Sequence, residues 1–96
     1  MALSIRQPHA SMVANGLKSI EYRSWSTRHR GDLLIVAASY VPRLRQHRDL
    51  PRACAICLVT LVDVVKVEPR LHAWILSEPR PFPSIPVRGR QRLWNV

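Results

Sequence analysis

The sequence predicts an α+β fold that is mainly β: a small mixed barrel of five or six short strands with one helix near the N-terminus. Three observations carry that prediction. Ninety-six residues, 47% of them hydrophobic, suit one globular domain spanning 1–96 with a modest core. Apolar runs of strand length, alternating or continuous, recur between turns marked by Gly and Pro. One segment near the start repeats its apolar residues at helical spacing instead.

The elements follow in order. "LSIR", residues 3–6, alternates apolar and polar as a half-buried strand does. "QPHASMVANG" reads as a helix, with Pro8 near its first turn. Ala10, Val13, Ala14 and Leu17 form its apolar stripe, and Gly16 ends it in a left-handed conformation. "SIEYRSWST" reads as a strand that puts Glu21, Arg23, Trp25 and Thr27 on one face. "RHRGD" is a turn hinged at Gly31, and "LLIVAA" is a strand buried on both faces. Residues 39–53 are polar, basic and marked by Pro42 and Pro51, a surface loop with room for one helical turn. "CAICLVTLVDVVKV" is the longest strand, and "HAWIL" is another. Pro79, Pro81, Pro83 and Pro86 make the next stretch an extended edge segment. "RGRQ" turns and "RLWNV" closes as a final strand.

The charge is lopsided. Fifteen Lys and Arg face six Asp and Glu, a formal +9, and all the basic residues but Lys18 and Lys66 are Arg. The guanidinium fork suits phosphates and base edges, so the balance points to a polyanionic partner. No run is long enough to span a bilayer, and the opening residues lack the form of a signal peptide, so no membrane partner is expected. The expected setting is cytoplasmic, or nuclear in a eukaryote. Thiols stay reduced there, and Cys54 and Cys57, three apart on a strand, are expected on opposite faces as structural cysteines. Neither a metal nor another cofactor is expected, because no second ligand pair stands at zinc spacing.

The candidate site gathers around "GLKSIEYRSW". Lys18, just past the helix end, offers an amine to a phosphate. Glu21 and Arg23 share a strand face, where Arg23 can hold Glu21 ionised. Trp25 on that face can stack on a base or fill the core. Trp74 and Trp94 lie in apolar contexts and read as core. Arg6 and Gln7 belong to the first loop; Gln7 is either a base-edge reader or a partner for the helix start. Arg28 and Arg30 form one basic turn and Arg88, Arg90 and Arg92 another, each a candidate phosphate contact.

These motifs resemble a known family. "LSIRQPHASMVANGLKSIEYRSWSTRHRGDLLIVAAS" is similar to the opening of ASCH domains, with an L-S-x-x-Q-P start, a G-x-K-x-x-E-x-R-x-W centre and an R-G-x-L-x-I-x-A close. "CAICLVTLVDVV" fits the family's central strand and "PFPSIPVRGRQRLWNV" its ending. The resemblance implies a PUA-like mixed β-barrel whose cleft binds nucleic acid, lined by the first loop, the central motif and the closing strand. Where the family carries Trp after Gln-Pro, this chain has His9, a smaller wall.

Three functions follow as expectations. The first is a module that binds RNA or single-stranded DNA in a basic cleft, serving RNA metabolism or transcription coregulation. The second is a hydrolase of N4-acylcytidine, a modified nucleoside, using Lys18 and Glu21. That branch carries K-x-x-T-x-R; Lys18 and Arg23 match, Glu21 stands in place of Thr, and Asp63 and Glu68 are further acids on order alone. The third is a metal-independent ribonuclease. The departure at position 21 favours the first. The oligomeric state is open.

Overall fold

A computed structural model describes residues 1–88 and 93–94 of the chain. Six strands form one sheet: β1 (Ala2–Ile5), β2 (Ile20–Arg23), β3 (Gly31–Ala37), β4 (Cys54–Glu68), β5 (Leu71–Pro86) and β6 (Leu93–Trp94). The α-helix of the described residues, α1 (His9–Ala14), follows β1, and a 3₁₀ turn covers Arg45–His47 in the long loop. The strand order is β2-β5-β4-β3-β1-β6; β1 runs parallel to β3 and the other pairs are antiparallel.

The described strands do not close the sheet into the expected barrel by pairing, since β2 and β6 stand at its two ends. The sheet nevertheless curls. Arg23 on β2 reaches the backbone oxygen of Ser4 on β1 at 2.8 Å, although β5, β4 and β3 separate them in sheet order. Right-handed twist and bulges bend long strands in this way, and the β4–β5 register shifts at four places. A side chain thus bridges the seam that backbone pairing leaves open.

One cluster fills the inside of this curl. Leu3, Ile5, Leu33, Ile35, Val59, Leu61 and Trp74 are buried with Ala10 and Val13 of α1. A smaller cluster of Ala2, Val36 and Ala55 lies apart, packed by Leu34, Phe82, Val87 and Trp94. Trp74 is therefore core, as expected, and Trp94 packs half-buried on the second cluster.

Several sequence expectations change in detail. Leu17 does not continue the helix stripe; it is 75% exposed. Gly16, at φ +74°, turns the chain off the helix axis one residue earlier. β2 ends at Arg23 rather than reaching Thr27, because its partner β5 begins at Leu71 and Arg23 already pairs with His72. "HAWIL" and the proline-rich stretch are one strand, β5, interrupted by a bulge at Glu78, φ +52°. Its prolines are tolerated because β2 pairs only its first part and no other described strand pairs the rest of that edge, as the edge reading requires.

Cys54 and Cys57 do not fall on opposite faces. Ile35 and Val36 are consecutive on β3, yet their partners are Cys57 and Ala55. Ile56 is the extra residue of a bulge, which resets the alternation and puts both cysteines in the main cluster. Both are free thiols. Residues 89–92, which hold Arg90 and Arg92 and most of the closing turn, lie outside the described residues, and so do the last two residues of "RLWNV".

Candidate nucleic-acid interface

The helix end sets the first functional side chain. Gly16 N–H donates to the oxygen of Val13 at 3.1 Å, and Leu17 N–H to that of Met12 at 2.9 Å, the paired bonds of a Schellman cap. Lys18 N–H joins them on Met12 at 3.1 Å. A left-handed glycine satisfies the orphan carbonyls and fixes where Lys18 leaves the helix.

β2 then turns Glu21 inward. Pairing opposite Trp74 puts Glu21 on the buried face, while Tyr22 points out and is 54% exposed. The alternation persists past the strand: Arg23, Trp25 and Thr27 are half-buried while Ser24, Ser26 and Arg28 are exposed. A buried carboxylate needs partners, and Glu21 has two. Lys18 Nζ donates to its Oε1 at 2.6 Å, and Arg23 Nη2 to its Oε2 at 3.0 Å. That same Nη2 makes the seam bond to Ser4, while Arg23 Nε is buried without a partner among the described residues.

Lys18 also reaches His9 Nδ1 at 3.2 Å. An ammonium only donates, so Nδ1 accepts and the ring proton sits on Nε2. Trp25 meets Trp74 edge to face, centroids 4.8 Å apart at 78°, and its backbone oxygen accepts from Trp74 Nε1 at 3.2 Å. The core thereby fixes the Trp25 ring.

These groups surround a recess of about 710 Å³ at the open seam. Arg6, His9, Lys18, Glu21, Arg23 and Trp25 line it, together with Ser4, Ile5, Tyr22 and Ala38. That volume suits a nucleoside-sized ligand. Three basic side chains, Arg6, Lys18 and Arg23, line the recess with one carboxylate, so its lining is basic on balance.

The other sequence candidates lie elsewhere. Gln7 is buried and does not line the recess. Its Oε1 accepts from Ser11 N–H at 2.9 Å, and its Nε2 donates to Ser11 Oγ at 2.9 Å and to Pro51 O at 2.8 Å. It is the helix-start partner of the two roles considered. Arg30 folds back on Thr27 and His29 oxygens and pairs with Asp63 at 3.3 Å. Arg28 and Arg88 are exposed and away from the lining, and Arg90 is not described. Asp63 serves Arg30 on the surface, so it does not complete an acid pair with Glu21.

Sequence reasoning missed Ser4, Tyr22, Tyr40 and Ala38. Ser4 acts through its backbone oxygen, which leaves no side-chain signal. Tyr40 lies under the Arg6 guanidinium, 4.0 Å from its ring centroid. It is the one aromatic of the arginine-rich loop, a signal that was available.

Comparison with known proteins agrees with this architecture. The family model for the ASCH domain matches residues 3–82. Activating signal cointegrator 1 of Homo sapiens and that of Mus musculus are each 35% identical over 79 residues, covering 64% of this chain. The match covers only 14% of the length of either relative. The crystal structure of a point mutant of ZmASCH from Zymomonas mobilis superposes with a TM-score of 0.66 at 14% identity, covering 88% of this chain and 73% of that one. At that identity the likeness is one of fold. With the family model spanning most of its length, the chain belongs to the ASCH domain family.

Proposed function

We propose that the protein binds RNA or single-stranded DNA, taking one unpaired nucleotide into the seam recess. The observation that carries this reading is the cation surplus around Glu21: Arg6, Lys18 and Arg23 beside one buried carboxylate, with Trp25 as a fixed flat wall. Lys18 and Arg23 meet phosphate oxygens, and the Trp25 ring stacks on a base, an interaction worth about 1–3 kcal/mol in single-strand binders. Glu21 orients both cations and offers an acceptor edge. His9, whose Nδ1 faces Lys18, leaves its Nε2 for a base. Family membership and the cointegrator relatives favour a setting in RNA metabolism or transcription.

The hydrolytic readings gain less support. Both Glu21 oxygens are engaged by cations, an arrangement that suits a positioning partner of Lys18 and Arg23 better than a general base. Lys18 is engaged by that carboxylate at 2.6 Å, which supports a phosphate-meeting role over a basic one.

The test is fluorescence anisotropy with labelled single-stranded RNA, alongside incubation with N4-acetylcytidine and no added metal. Saturable binding that weakens with salt, that falls at least tenfold in Lys18→Ala, and that consumes neither substrate supports the module. Deacetylation lost in Lys18→Ala replaces it with the hydrolase. Absence of RNA and DNA affinity at low salt ends the binding reading.

A further inference from the structure

Beyond the recess, one other surface among the described residues concentrates unpaired positive charge. The loop of residues 39–53, between β3 and β4, holds Arg43, Arg45, Arg48 and Arg52 against one acid, Asp49. Arg48 staples the loop, donating to Pro42 O at 3.1 Å and Arg43 O at 3.2 Å. Arg43 and Arg45 are exposed and Arg52 half-buried; none of the three side chains has a hydrogen bond or ion pair among the described residues. Two exposed arginines elsewhere are matched, Arg30 with Asp63 and Arg80 with Asp32 at 3.2 Å, while Arg28, Arg70 and Arg88 are exposed and far apart in sequence. Among the described residues this loop holds three unmatched guanidinium groups within ten positions, a density that the dispersed Arg28, Arg70 and Arg88 do not reach.

The loop is tied to the recess at both ends. Near its start, Tyr40 lies under Arg6, which itself lines the recess. At its far end, Pro51 O accepts from Gln7, the next residue of the first loop. A stapled backbone holding three free guanidinium groups beside a nucleotide-sized recess suits a chain of phosphates leaving that recess.

We propose that the 39–53 loop is a phosphate track. A single strand that places one nucleotide in the seam recess lays its neighbouring phosphates along Arg43, Arg45 and Arg52. This rests on the binding reading above and adds the strand's path. A duplex does not fit, because a recess of this kind takes a base only when it is unpaired. The loop reads no sequence, since guanidinium contacts to phosphates position without specifying.

The test compares the wild-type chain, the loop variant R43Q/R45Q/R52Q and a charge-matched control, K66Q/R70Q/R80Q. Each is titrated with a single-stranded RNA 12-mer and a trimer, from low to moderate salt. For single strands each released phosphate contact contributes about 0.7 to the slope of log K against log salt. The loop variant is expected to lose about 2 from the 12-mer slope, and at least tenfold in affinity. Its trimer affinity stays within about twofold, because the trimer fills only the recess, and the control keeps most of its slope. A loop variant with the full 12-mer slope overturns the track while leaving the recess reading intact. Equal losses in loop variant and control also overturn it, since general charge then suffices. Wild-type protein that binds neither oligonucleotide ends both proposals. Loop-dependent binding to phosphatidylserine vesicles, without preference for the longer RNA, would reassign the surface to membranes.

Discussion

Glu21 and Asp63 both pair with arginine, in opposite surroundings. The Glu21 side chain is 9% exposed and held by two cations at 2.6 and 3.0 Å. That of Asp63 is 58% exposed and meets one arginine at 3.3 Å. Water solvates Asp63 whether Arg30 is present or not, so its pair is optional. Glu21 has given up most of its water, and its partners are obligatory. The buried network therefore fixes geometry: it aims Lys18 and Arg23 into the recess and holds β2 to β1 across the seam.

Glu21→Gln gives the largest expected effect. The amide removes the charge that Lys18 and Arg23 share and turns an N–H toward one of them. The expected cost is about 3 kcal/mol, seen as a drop in Tm of roughly 15 °C for a domain of this size. The recess should loosen together with the fold, because Arg23 carries both the Glu21 and the Ser4 bond on one nitrogen. A variant that melts within about 2 °C of wild type would break the comparison and reduce Glu21 to a surface-like acid.

Part of this was legible before the structure. Alternation from Glu21 to Thr27 set the inward face, and it outlasts the hydrogen-bonded strand because burial rather than pairing imposes it. Gly16 marked the helix end because a left-handed turn needs a residue without a side chain. The rest depends on distant partners. The bulge at Ile56 that unites the cysteines arises from registers with β3 and β5, which no local pattern encodes. The seam bond uses the backbone of Ser4, and the basic loop gains its meaning from anchors at Arg6 and Gln7. Charge counting found the arginines; only the fold shows which ones acids already neutralise.

A buried ionisable group with no carboxylate or cation at hydrogen-bond distance among the described residues makes the intermediate case. Burial pushes the Cys57 thiol from its ordinary 9.0 up to about 11, with the Arg80 charge pulling weakly the other way. Burial also raises the Cys54 thiol, opposed by a hydrogen bond with Ser84. The unfolded chain thus loses these protons first as pH rises. Their contribution is complete below about pH 9 and is lost as pH climbs through about 11 for Cys57. Thermal melts from about pH 8 to 11 should show wild type losing on the order of 1–2 kcal/mol more than Cys57→Ala over that range. Parallel curves for the two proteins would mean that the thiol ionises in the fold as easily as outside it.

The smallest expected effect comes from Asp63→Asn, the same carboxylate-to-amide change as at Glu21. Asn keeps the oxygen that accepts from Val64 N–H at 2.8 Å and loses only the charge facing Arg30. Arg30 also retains its bonds to Thr27 and His29 oxygens, so it stays in place. The expected cost is below about 0.5 kcal/mol, and it should vanish in high salt, where exposed pairs are screened. Chemical denaturation of both amide variants at low and high salt provides the comparison. A salt-insensitive cost of more than about 1 kcal/mol at Asp63 would show that the β4–Arg30 turn depends on its ion pair as the seam does. With the small, salt-sensitive value instead, the difference between the two positions measures what burial adds when the chemical substitution is held constant.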